Sequence, residues 1–351
     1  MMKRNKSQNQ QGMTLVEILI AMLIGLVLLS GVLTIFTNSK QTYRMQEALS
    51  RLQENSRFSM DFISRDVRQA GFLGCNSNAP IENILNDSSN AGWDFSNVIL
   101  GFDNVTASFT TLSNVVIGTD VIIVRRTDDN GTPLVSPYTT GAQEFVATTL
   151  NNDCPSATAN TCHKGEIVMV TDCAKSSVFQ ITNTQLSGGK INVVHSGDNT
   201  YIPGNSTPTL SNSYGVGSKL VKLETYAYYI RQNPDNINSL YRSKLSISGL
   251  TTASLSAEEL VEGVQDMQIL YGADTDSPAD GVANYYVAAG TSGLDMTQVV
   301  SVRISLLMQT IENNITSSPV DYTFNGTTTT PTDQRLRRVN TFTIALRNRL
   351  I

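Results

Sequence analysis

The stretch Gln11–Phe36, QGMTLVEILIAMLIGLVLLSGVLTIF, decides how this chain is read. A Gly-Met junction and a single acidic residue, Glu17, stand at the head of a long apolar run. Ile18–Phe36 holds 19 residues without a charge. At the helical rise this spans about 28 Å, close to the hydrocarbon thickness of a bilayer. The first eleven residues are polar and carry Lys3, Arg4 and Lys6 with no acidic residue, a composition that stays on the cytoplasmic side.

A cleaved secretory signal would pair a short apolar region with a small-residue cleavage site. Here the run is long, and FTNSKQTYRMQEALSRLQENSRF after it reads as continuing helix. A plain single-pass anchor accounts for the length but not for Glu17. A carboxylate at the edge of hydrocarbon is costly without a partner. The sequence places no cation beside it on the membrane side, so an intermolecular partner is expected.

Gly12, Met13, Thr14, Leu15, Val16 and Glu17 resemble the class III signal of the type IV pilin family. The resemblance implies that a prepilin peptidase cuts after Gly12 and N-methylates Met13, a variant of the commoner phenylalanine. It also implies that Glu17 pairs with the terminal amine of an adjacent subunit during assembly.

From Ser39 to about Gln69 there is no proline or glycine. Met45, Leu49, Leu52, Phe58, Phe62, Ile63 and Val67 recur mostly three and four residues apart, the spacing of an amphipathic helix with one buried stripe. One helix is therefore expected from about Met13 to Ala70, with Arg65 and Arg68 suiting the macrodipole at its end and Gly71 and Gly74 releasing the chain.

Residues 71–351 read as β-rich. Strands are expected at Val98–Phe102, Asp120–Arg125, Glu144–Thr148, Glu166–Thr171, Val178–Thr182, Ile191–His195, Leu220–Arg231, Gln265–Tyr271, Val299–Gln309 and Arg338–Arg347. AEELVEG at Ala257–Gly263 reads as a short helix or turn. Long Asn-, Ser-, Thr- and Gly-rich loops cover Asn76–Asn97, Ser196–Gly217 and Ile311–Gln334. The fold class is α+β: a long N-terminal helix packed on a mainly antiparallel, pilin-like head. The organisation is a leader (1–12), a transmembrane and filament-core helix (13–38), its amphipathic continuation (39–70) and the head (71–351). The head's size suits one domain or two sub-domains, with Ser196–Gly217 as the candidate seam.

FISRDVRQAGFLGC, GEIVMVTDCAKSSVFQIT, LVEGVQDMQILYGADTDSPADGVANYYVAA and VVSVRISLLMQT resemble the PilW family of minor pilins, and the likeness covers nearly the whole chain. It implies a non-enzymatic subunit that primes pilus assembly and enters near the tip. The J-type pseudopilin of type II secretion and a tip-displayed adhesion or ligand-binding module are the competing readings. The implied partners are the prepilin peptidase, other minor pilins, the major pilin, an inner-membrane assembly platform and a tip adhesin. The implied location is the bacterial inner membrane, single-pass with a periplasmic head, and then the pilus at the cell surface.

Cys75, Cys154, Cys162 and Cys173 all follow the apolar run, and their even number outside the cytoplasm favours two disulfides. Cys154 with Cys162 and Cys75 with Cys173 is one pairing; Cys75 with Cys154 is a rival. Zinc at Cys162 and His163 lacks a usual spacing. No cofactor is expected, apart from a calcium candidate at Asp274, Asp276 and Asp280 in DTDSPADG, where alternating carboxylates precede a glycine. That spacing is not an EF-hand's, and a solvated acidic turn is the competing reading. The two histidines lie in polar, loop-like contexts, and no G-x-S-x-G, P-loop or H-E-x-x-H is present. The leader holds three of the 25 Lys and Arg and none of the 30 Asp and Glu, which leaves the mature chain at −8. Nothing in this balance argues for nucleic acid.

Overall fold

The computed structural model describes residues 14–74, 80–109, 112–127, 131–140, 144–148, 163–187, 190–248 and 252–349. Gly12, Met13, Cys75, Cys154 and Cys162 lie outside the described residues.

Helix α1 (Leu15–Gln69) has 55 residues, about 82 Å at the standard rise. Thr14 caps it in extended conformation, and Glu17 closes a capping box. It contains no proline, and its glycines, Gly25 and Gly31, both face open space. At the far end Gly71 takes φ +76° and its N–H donates to the Arg125 carbonyl at 3.0 Å, which turns the chain onto the head.

The head is built from strands β1 (Ile81–Asn83), β2 (Ile99–Phe102), β3 (Val121–Thr127), β4 (Thr132–Pro133), β5 (Glu144–Thr148) and β6 (Ile167–Thr171). Next come β7 (Ser176–Gln180), β8 (Asn183–Ser187), β9 (Lys190–Val194), β10 (Lys219–Gln232), β11 (Asn238–Ser248) and β12 (Thr252–Glu262). The last third holds β13 (Val264–Ala273), β14 (Tyr285–Val287), β15 (Val299–Gln309), β16 (Tyr322–Phe324), β17 (Thr327–Thr329) and β18 (Arg337–Ala345).

Strand β10 organises the largest sheet. Its first residues pair with β4 and β6, its middle with β3, and its end with β11, which carries β12. A second sheet runs β14-β13-β15-β18, a third β5-β9-β8, and β16-β17 form a hairpin. Among the described strands only β1 and β7 pair in parallel; every other pair is antiparallel.

The main core lies under the second half of α1. Leu52, Ile63, Val67 and Ala70 meet Tyr228, Ile230, Met267, Val302 and Ile304 from the two large sheets. A separate core, with Phe145, Phe179, Val193 and Tyr214, is made entirely from residues of the 84–220 region. Residues of the Ser196–Gly217 loop belong to it: Leu210 and Tyr214 are buried there.

Every expected strand is present within a few residues of its expected limits, and the Val299–Gln309 limits are met at both ends. Ala257–Gly263 differs. It is the end of β12 followed by a turn at Gly263, whose φ is +78°. Cross-strand pairing with β11 overrides the helical preference of its Ala, Glu and Leu residues. Strand β11 falls outside the expected strands, because its serines and basic residues hide the alternation of Leu240 with its neighbours, and the expected loops Asn76–Asn97 and Ile311–Gln334 hold β1 and the β16–β17 hairpin.

Candidate functional site

Glu17 sits in the first turn of α1. Its Oε2 accepts the Thr14 backbone N–H at 3.0 Å and the Thr14 hydroxyl at 3.0 Å, while the Glu17 N–H donates to Thr14 Oγ1 at 3.4 Å. Thr14 and Glu17 form the mouth of a helix whose unsatisfied N–H groups favour negative charge. The carboxylate is fully exposed to solvent, so an outside cation can reach it.

From Leu15 to Phe36 no residue is buried; Leu15 is 74% and Phe36 66% exposed. Its mean hydropathy reaches 2.8, and it belongs to the one described helix long and apolar enough to cross a membrane. It fits a single-pass anchor. The head first touches α1 at Gln41, whose Nε2 donates to the Ile315 carbonyl at 2.7 Å, and at Arg44, whose guanidinium lies 3.6 Å from Glu312. Of the expected stripe, Leu52, Ile63 and Val67 are buried. Met45, Leu49, Phe58 and Phe62 remain exposed, because the sheet reaches only part of the helix surface.

A polar clamp fixes the helix to the head. Asp66, 3% exposed, lies on the buried face of α1. The Tyr228 hydroxyl donates to Asp66 Oδ2 at 2.5 Å and to the Phe62 carbonyl at 3.1 Å. Arg126 and Arg242 approach the same carboxylate at 3.8 and 3.6 Å. Burial, together with the Asp66 charge, pushes the Tyr228 phenol well above its usual range, so it remains a donor. Both guanidiniums also lie 5.2–5.3 Å from the centre of the Tyr226 ring. This group was missed from sequence. Its signal is a carboxylate on the buried stripe, one residue from Val67 and three from Ile63.

Asp274, Asp276 and Asp280 come together between β13 and β14, with one oxygen from each within 4.8 Å of the others. That cluster can in principle hold a cation. Its buried member, Asp274, already accepts the N–H groups of Asp276, Asp280 and Gly281 at 2.6–3.1 Å, as a carboxylate in a tight turn does. Cys173 takes part in a disulfide; its pairing lies outside the described residues.

The histidines are kept apart. His163 Nδ1 lies 2.9 Å from Glu166. His195 is fully buried among the rings of Tyr138, Phe145 and Phe179, and burial pulls its pKa down to about 4.

Residues 227–348 match the family model of the type IV pilus-assembly protein W, and residues 7–33 match the prokaryotic N-terminal methylation motif. The chain carries a PilW domain behind a pilin methylation motif. No curated protein and no solved structure matches the chain. The PilW match starts within β10, at Ala227, and ends at Asn348, so it covers β11 to β18, including β12, β15 and β18, which contact α1, but not β3, which also contacts it. The methylation motif covers Gly12, Met13 and Glu17 together with most of the exposed apolar stretch. PilW-family pilins are structural, non-catalytic components.

Proposed function

We propose that this protein is a minor pilin that primes assembly of a type IV pilus and is incorporated near its tip. The observation that carries this reading is the division of α1: a head that carries a PilW match grips one half, while the other half, headed by Glu17, is apolar and bare. A bare apolar helix has two low-energy surroundings, lipid and other apolar helices. Gly25 and Gly31 meet nothing within 4 Å in this chain, and glycines in such segments let neighbouring helices approach closely. On this reading the prepilin peptidase removes residues 1–12 and methylates Met13. The mature chain waits in the inner membrane with its head in the periplasm, and the assembly platform transfers it into a filament with other minor pilins and the major pilin.

Glu17 guides docking. Its carboxylate is held at the helix mouth by Thr14, and a neighbour's terminal amine replaces the Thr14 hydroxyl as its partner. Glu17→Ala is expected to be cleaved and methylated normally by intact-mass measurement, while co-purified minor pilins fall about tenfold. Glu17→Gln keeps an acceptor for the cap but loses the charge, so it should fail like Glu17→Ala. Wild-type piliation and normal recovery of minor pilins from Glu17→Ala cells would overturn the reading. A short secretion filament built from a J-type pseudopilin relies on the same physics; the PilW match favours the pilus.

A further inference from the structure

Most of the described arginines have a partner. Of the 15 described arginines, ten hold a carboxylate, a backbone carbonyl, a hydroxyl or a tyrosine ring. Arg57, Arg65, Arg68, Arg338 and Arg347 have none among the described residues. Three of those five, Arg65, Arg68 and Arg347, line a single open cleft of about 610 Å³ at the C-terminal end of α1. Asp61 is the one carboxylate lining it, and it pairs with none of them. The side chain of Phe72 supplies an apolar wall.

The helix end does not account for three cations. A helix C-terminus carries about half a negative charge, which one cation in the last turn complements. Its carbonyls are also in use: Asn348 Nδ2 donates to Gln69 at 3.4 Å and Ala70 at 3.3 Å. Arg347 arrives from the far end of the chain, 279 residues after Arg68. Unpaired guanidiniums converging from two elements form a fork for carboxylate or phosphate oxygens.

Position selects between those sources. Arg65 lies 29 residues beyond Phe36 on the same helix, about 44 Å at the standard rise and several Debye lengths from the end of the apolar run. Lipid headgroups are out of reach. Pairing of two copies through this cleft in a two-fold dimer would set two groups of three guanidiniums against each other.

We propose that this cleft docks a carboxylate-bearing segment of a different subunit of the same filament. The proposal rests on the pilus reading above. The full chain is expressed in its membranes with a photo-crosslinking residue at Phe72, alone and with Arg65→Glu, Arg68→Glu and Arg347→Glu together. A parallel triple Lys variant keeps the charge but not the fork. Wild type is expected to crosslink to a peptide of another pilus subunit that contains Asp or Glu. The triple Glu variant is expected to lose this crosslink about tenfold, with the Lys variant in between. Thermal unfolding and protease resistance of the head serve as folding controls. A folded triple Glu variant with the wild-type crosslink, a captured peptide without acidic residues, or capture of a second copy overturns the cleft assignment. Failure of wild type to co-purify any pilus subunit overturns the function itself, a separate readout from the same membranes.

Discussion

Asp66 shows how one buried charge can hold two layers together. Its carboxylate, on the helix, faces Tyr228, Arg126 and Arg242, all on the sheet. Removing one partner of a buried ionic group leaves the others uncompensated, which costs about 3–5 kcal/mol. Asp66→Ala should therefore lower stability by that amount in urea denaturation, whereas Tyr228→Phe, which removes one neutral donor, should cost about 1–3 kcal/mol. A loss under 1 kcal/mol for Asp66→Ala would show that Glu224 and Glu258, which the guanidiniums already hold, compensate them without Asp66. Glu17 was legible from sequence because a charge beside 19 apolar residues is conspicuous. Asp66 was not, because amphipathic stretches are full of carboxylates and only the sheet reveals which of them is inside.

Helix α1 is one element with two environments. Its limits were readable to within two residues from the absence of Pro and the glycine at its end, since backbone breakers act locally. The side chains it buries were less readable: the apolar spacing identified the stripe, but the extent of the sheet decides that Ile63 is covered and Phe58 is 48% exposed. Ile63→Ala should cost about 2–5 kcal/mol of head stability, as cavities in packed cores do. Leu29→Ala, on the bare half, should leave the head's urea midpoint unchanged. Equal losses for the two would mean that the head also grips the apolar half. Strands that alternate or run nearly continuously in apolar residues, such as β15, were legible because their burial writes itself into composition. Strands β11 and β12 draw their order from each other's register, which no single segment encodes.

For the molecule as a whole, two buried groups set opposing responses to acid. His195 has its pKa pulled from 6.5 to about 4 by burial. The unfolded chain therefore binds its proton first, and the stability His195 contributes is complete above pH 6.5 and lost as pH falls toward 4. Asp120 has its pKa pushed from 3.8 up to about 7 by burial, with its oxygens accepting the N–H groups of Asn104 and Ile269. The folded chain binds that proton first, so its contribution is complete below pH 3.8 and lost as pH rises through 7. The two slopes offset each other between pH 4 and 6.5. An Asp120→Asn variant should lose stability more steeply than wild type on acidification through this window, by about 3 kcal/mol across it. Urea midpoints at half-unit intervals would show it, and parallel profiles for the two proteins would rule it out.

The grip on α1 also has a mechanical meaning. Among the described residues the head is joined to the apolar segment only through this helix, and it holds the helix by side chains spread from Gln41 to Ala70. A pull along the helix axis therefore loads these contacts in shear, all at once, with the Asp66 clamp as a ratchet tooth near the far end. A sideways pull would peel them one turn at a time. The joint between head and helix is built to bear tension along the helix axis and to yield to forces across it.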